Sequence, residues 1–124
     1  LKKEVPFTIT YEQLDKIPRF GVQFELAVYR IIQELIQNII KHARATEAFV
    51  QLSYSNHQLG IDVEDNGIGL PSGNMEKMQK GTGLKSIESR MTALNGSIRI
   101  QSNGRGTSVS LEFTTDAPAL YAQG

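Results

Sequence analysis

Residues 34–42 read Glu-Leu-Ile-Gln-Asn-Ile-Ile-Lys-His and lie inside the longest helical pattern of the chain. From residue 23 to residue 44 there is no glycine or proline. Apolar residues recur there at helical spacing: Val28, Ile31, Ile32, Leu35, Ile36, Ile39, Ile40 and Ala43. With Glu34 set at zero on a helix turning about 100° per residue, Asn38 falls at about 40°, Lys41 at about −20° and His42 at about 80°. Val28, Ile32, Leu35, Ile36, Ile39 and Ala43 fill roughly 100° to 220° of the same wheel, the expected core arc. Arg30, Gln33, Gln37 and Arg44 take roughly 260° to 320°, the expected solvent arc. Glu34, Asn38, Lys41 and His42 therefore form a polar stripe beside the core face, where the wall of a cleft would lie.

Outward from this helix the pattern changes period. Val5, Phe7 and Ile9 alternate with Pro6, Thr8 and Thr10 and predict a short edge strand, followed by a connection through Pro18 and Gly21. Two alternating runs, 49–54 and 59–63, flank Ser55-Asn56-His57-Gln58 and predict a hairpin with a four-residue turn. The second run leads straight into Asp65-Asn66-Gly67-Ile68-Gly69. Residues 72–82 carry no clean period and predict a mobile loop. Leu84, Ile87, Met91 and Leu94 mark a second amphipathic helix, closed by Asn95-Gly96. Strands around 98–101 and 108–113 follow, joined by Asn103-Gly104-Arg105-Gly106. About five strands and two substantial helices in this order predict an α/β arrangement of the α+β two-layer sandwich kind. A mainly antiparallel sheet would have the helices on one face. Residues 1–115 are expected to form the domain, with a strand and connection over 1–22 and the core over 23–114; residues 116–124 are expected to be a disordered tail.

Composition narrows the classes. Thirteen basic and thirteen acidic residues cancel, so no overall field draws in nucleic acid or an anionic membrane. No apolar run is long enough to span a bilayer, and no signal-peptide pattern opens the chain. The absence of cysteine excludes disulfides and thiolate metal sites and fits a reducing cytoplasm. A first residue of Leu1 rather than Met suggests a piece of a longer protein.

The stripe suits a metal-bound polyphosphate. Mg²⁺ takes hard oxygen ligands and keeps several waters, so one Asn oxygen with phosphate oxygens is a normal set. Glu34 could orient a metal-bound water or accept a proton, while Lys41 and His42 could offer N–H donors to phosphate. The same four residues also suit an ordinary exposed helix face. Asp65 leaves a buried strand, where a carboxylate is costly unless something donates to it. The exocyclic amine of adenine is such a donor, and Thr107 could add a hydroxyl or a bridging water. Gly67 and Gly69 would let the backbone approach a base, and Ile68 could pack on a purine ring. A plain strand-ending turn is the competing reading. Gly81-Thr82-Gly83-Leu84 opens the second helix with uncovered N–H groups suited to phosphate. Neither a Walker A loop nor a dinucleotide fingerprint is present: Leu84 separates Gly83 from Lys85, and Gly67-Ile68-Gly69 lacks its third glycine.

Taken together, Glu34-x-x-x-Asn38-x-x-Lys41-His42, Asp65-x-Gly67-x-Gly69, Gly81-x-Gly83-Leu84 and Gly104-x-Gly106-Thr107 resemble, in order, the N, G1 and G2 boxes and the closing glycine-threonine element of the gyrase, Hsp90, histidine kinase and MutL superfamily, the Bergerat fold. The chain is most similar to sensor histidine kinases of the DesK/NarX-like kind, through Lys41-His42-Ala43-Arg44-Ala45-Thr46 and through Gly83-Leu84-Lys85-Ser86-Ile87-Glu88-Ser89-Arg90-Met91. The resemblance implies an ATP-binding catalytic domain of a protein-histidine kinase with ATP and Mg²⁺ as cofactors. It implies Asn38 on Mg²⁺, Asp65 on adenine with Thr107 in support, Lys41 and His42 along the phosphates, and Gly81, Thr82, Gly83 and Leu84 as a lid hinge. Glu34 is the candidate catalytic residue, as a metal-shell or proton-handling group. The implied partners are the protein's own helical dimerisation domain, which carries the accepting histidine, and indirectly a response regulator. Nucleic acid and direct membrane contact are not expected. The expected location is the cytoplasm, including the cytoplasmic part of a membrane-anchored sensor. Same-fold alternatives are an anti-sigma-factor serine kinase, a gyrase- or MutL-like ATPase, and a binding module without catalysis. His42 belongs to the implied ATP site and His57 to a hairpin turn, so neither sits on a substrate helix.

Overall fold

The computed structural model describes residues 7–42, 44–68, 84–103 and 105–115. Strand β1 (Thr8–Gln13) is followed by helix α1 (Val22–His42), the hairpin β2 (Glu47–Ser55) and β3 (Gln58–Asp65), helix α2 (Leu84–Ala93), and the hairpin β4 (Gly96–Asn103) and β5 (Gly106–Thr114). The strands form one sheet in the order β1-β2-β3-β5-β4. Only β1 to β2 is parallel; the other three pairings are antiparallel. Both described helices lie on one face, as the two-layer sandwich requires.

Alternation explains the layer. Ala48 and Val50 on β2, Leu59, Ile61 and Val63 on β3, and Val109, Leu111 and Phe113 on β5 are buried. They meet Val28, Ile31, Leu35 and Ile39 of α1 and Ile87 and Met91 of α2 in one core. Successive strand residues point to opposite faces, so Phe49, Glu64 and Glu112 emerge exposed on the other side of the sheet.

The structure corrects the helical wheel. The buried residues of α1 (Ile31, Leu35, Val28 and Ile39) cover about 60° to 140°. Ile32 and Ile36 are only half-buried, and Ile40 is 55% exposed. Here α1 packs on β3 and also against α2, and those two contacts rotate the buried arc toward Asn38. Apolar count cannot say which side of a broad stripe faces the sheet.

Local chemistry sets the ends of α1. Arg19 donates from Nε and Nη2 to the Glu25 carboxylate at 2.8 Å each, and Phe20 N–H donates to it at 3.0 Å. Glu25 thus reaches back over the entry turn and holds the incoming chain; these contacts keep its pKa below the ordinary carboxylate range, the Arg19 hydrogen bond most of all. Arg44 adopts φ of 52°, so the helix stops at His42, two residues earlier than its apolar pattern predicts.

Two further expectations shift. The edge strand is Thr8–Gln13 rather than a run centred on Val5 to Ile9, because parallel pairing of Thr8 with Glu47 through Gln13 with Leu52 recruits residues read as a connection. Val5 and Pro6 lie outside the described residues. The β2–β3 turn has two residues, Asn56 and His57, with φ of 50° and 62°. Both sit in the left-handed region of a type I′ turn, whose twist matches the flanking strands. Pairing therefore continues to Ser55 and Gln58.

At the end of α2, Asn95 takes the left-handed position with φ of 58°, while Gly96 serves space. A Cβ on Gly96 would lie 2.8 Å from Cδ1 of the buried Phe113 and 2.9 Å from Cε of Met91. Gly96→Ala is therefore expected to destabilise the domain by about 1–3 kcal/mol through overpacking, read as a lower urea midpoint at unchanged slope.

Candidate functional site

Asp65 is the last residue of β3 and continues the buried alternation Ile61, Val63, Asp65 toward the helix layer. It is 9% exposed and is the buried polar residue of the described core. Gly67 N–H donates to its Oδ1 at 2.8 Å, and the backbone N–H of Thr107 also donates to the carboxylate. Burial raises the Asp65 pKa, and these two hydrogen bonds only partly oppose the rise.

The neighbours of Asp65 are built to hold it. Thr107 lies directly opposite in the β3–β5 register, and its backbone does the supporting. Its hydroxyl, which the sequence offers to Asp65 directly or through a bridging water, lies 3.2 Å from Ser102 Oγ. Gly106 has φ of 144°, and a Cβ there would run into the Asp65 carbonyl; only glycine fits. Asn66 was not singled out by sequence, yet it anchors the turn. Its Oδ1 accepts from Thr46 N and Glu47 N at 3.0 Å each, and its Nδ2 donates to Thr46 Oγ1 at 3.0 Å. The clue lay in its place behind a strand-ending Asp, where Asn side chains bond to backbone. Gly67 is buried, while Ile68 is 56% exposed, an apolar side chain presented to solvent beside the buried carboxylate.

On α1, Asn38 is half-buried, and its Nδ2 is buried without a hydrogen-bond partner among the described residues. Such an atom is costly unless a ligand satisfies it. Glu34, one turn earlier, accepts at Oε1 from Arg90 Nη1 of α2 at 3.0 Å. Lys41 is exposed. His42 closes α1, and its side chain lies outside what is described. Gly69, Gly81, Thr82 and Gly83 also lie outside the described residues; Leu84 begins α2. The fold thus sets the stripe and Asp65 on the same, helix-covered side of the sheet. Among the described residues no three His, Asp or Glu side chains converge as a metal cage, and no helix is long and apolar enough to cross a membrane.

A family profile described as histidine kinase-, DNA gyrase B- and HSP90-like ATPase matches residues 23–117. Among curated proteins, the sensor histidine kinase ComP of Bacillus subtilis is 30% identical over 113 residues, covering 90% of this chain and 15% of that protein. The oxygen sensor histidine kinase NreB of Staphylococcus carnosus is 31% identical over 112 residues, covering 90% of this chain and 32% of that protein. The chain spans less than a third of the length of these relatives. Among solved structures, the blue-light activated histidine kinase of Erythrobacter litoralis EL346 superposes with a TM-score of 0.75 at 20% identity, covering 91% of this chain and 36% of that one. The catalytic domain of histidine kinase ThkA superposes at 0.73 with 16% identity, covering 88% and 79%. At these identities the structural likeness speaks to fold alone.

The raised pKa of Asp65 has a testable sign. The folded chain holds this proton more tightly than the unfolded chain, so the stabilising contribution is complete below the unfolded pKa. It is lost as pH rises through the folded value. Without nucleotide, the unfolding free energy of the parent should fall relative to that of Asp65→Asn as pH rises from about 3 toward neutrality. Urea titrations across that range check it; parallel curves would refute it.

Proposed function

The chain belongs to the histidine kinase-, DNA gyrase B- and HSP90-like ATPase family, and on that premise we propose that it binds Mg-ATP and delivers the γ-phosphate to a histidine on a separate helical dimerisation domain of a two-component sensor kinase. The observation that carries this is Asp65. A buried carboxylate at the end of the central strand, held by two backbone N–H groups beside a glycine turn, keeps acceptor capacity for a further donor. The adenine amine meets that need. The curated relatives are sensor histidine kinases, which favours a histidine acceptor over the serine acceptor of an anti-sigma-factor kinase and over a gyrase-like reaction.

In this reading Gly67 lets the backbone approach the base, Ile68 covers one face of it, and Thr107 holds Asp65 in place. Asn38 fits Mg²⁺ because its buried amide end is unsatisfied. Carboxamide N and O exchange by a simple flip, so the same position can present an oxygen to a cation that otherwise relies on phosphates and water. Bound Mg²⁺ would supply charge neutralisation of the polyphosphate. Lys41 and His42 would add N–H donors along the phosphates. An imidazole nitrogen then attacks the γ-phosphorus and the bond to the β–γ bridging oxygen breaks. The chain contributes position and charge stabilisation.

Calorimetric titration with Mg-ATP is expected to show saturable binding. Asp65→Asn should weaken it by roughly 10- to 100-fold, the worth of one hydrogen bond to a charged group. Absence of binding, or equal binding by the variant, would overturn the adenine assignment. With γ-labelled ATP, the chain alone is expected to remain unlabelled, because His42 belongs to the proposed ATP site and His57 to the β2–β3 turn. Stable label on either would contradict the division of labour.

A further inference from the structure

Arg90 has no place in the reading above, yet it engages the one carboxylate of the α1 stripe. It lies in the last turn of α2, where the helix dipole favours a cation. From there its Nη1 reaches Glu34 Oε1 on α1 at 3.0 Å. Glu34 stands one turn before Asn38 on the same face of α1, and its side chain is 31% exposed against 48% for Arg90. The pair bridges two helices that also meet through the core, so the direction of the carboxylate is decided by α2, not by α1 alone.

Resting on the proposed Mg-ATP site, we propose that Arg90 is a positioning residue that holds Glu34 toward α2 and thereby keeps it from acting as a base on water. The reaction being suppressed is hydrolysis. A water oxygen would bond to the γ-phosphorus, the bond to the β–γ bridging oxygen would break, ADP and phosphate would leave, and the water proton would pass to Glu34. A carboxylate at this place could perform that step if it were free to turn toward the phosphates. One committed to a guanidinium by a charge-assisted hydrogen bond has an oxygen occupied and its rotation restricted. ATP then persists until an imidazole arrives.

The test uses the chain with Mg-ATP, following binding by calorimetry and phosphate release separately. Arg90→Met keeps the side-chain stem and removes the charge. It should raise the hydrolysis rate roughly two- to fivefold, the range set by a partly exposed ion pair, with the dissociation constant for Mg-ATP within about threefold of the parent. Arg90→Lys should restore a rate near that of the parent. Arg90→Met combined with Glu34→Gln should fall to the rate of Glu34→Gln alone, which a merely structural role of Arg90 would not produce. An unchanged rate in a folded, ATP-binding Arg90→Met chain would overturn the proposal and leave the ATP site standing. A gain that survives in the double variant would do the same. Loss of Mg-ATP binding in the parent itself would overturn both.

Discussion

Strand β3 is hydrogen-bonded along both edges, to β2 on one side and β5 on the other, and is covered on one face by α1. Its inward residues run Leu59, Ile61, Val63 and then Asp65. Three apolar side chains commit that face to the core, and the fourth carries a carboxylate into the same low-polarity layer. Because strand side chains alternate strictly, Asp65 cannot leave that face without turning the other three into solvent. The register that secures the core therefore also fixes the position of the buried acid.

Everything near Asp65 answers the cost of that placement. The Gly67 and Thr107 amides donate to the carboxylate, Gly106 makes room for its carbonyl, and Asn66 fastens the following turn to the start of β2. These contacts are made by backbone or by a short amide and leave little freedom for relaxation. Burial still dominates, and the proton affinity of Asp65 stays raised. Folding thus holds a carboxylate where its charge is poorly solvated. On α1, Asn38 carries a buried amide nitrogen that lacks a partner among the described residues.

The corrections follow from the same physics. Edge strand β1 runs beyond the local pattern to Gln13 because, among the described residues, it pairs with a strand 39 positions later, as in Thr8 with Glu47. No feature near Thr8 encodes that contact. The wheel of α1 was misaligned because Ile32, Ile36 and Ile40 widen the apolar arc beyond what the sheet covers. Arg90 was legible only as part of a motif, since its relation to Glu34 joins residues 56 apart in the chain.

Sequence alone determined the elements with a strong local period: the long helix carrying Glu34 and Asn38, and the strand ending at Asp65. It also determined the order of motifs on which the family rests. Tertiary structure decided what depends on distant partners. It turned α1 so that Asn38 borders the core, brought the Thr107 backbone N–H to Asp65, and tied Glu34 to Arg90. Local preferences act over a few residues, whereas orientation and charge pairing are set by whichever surfaces the finished core brings together.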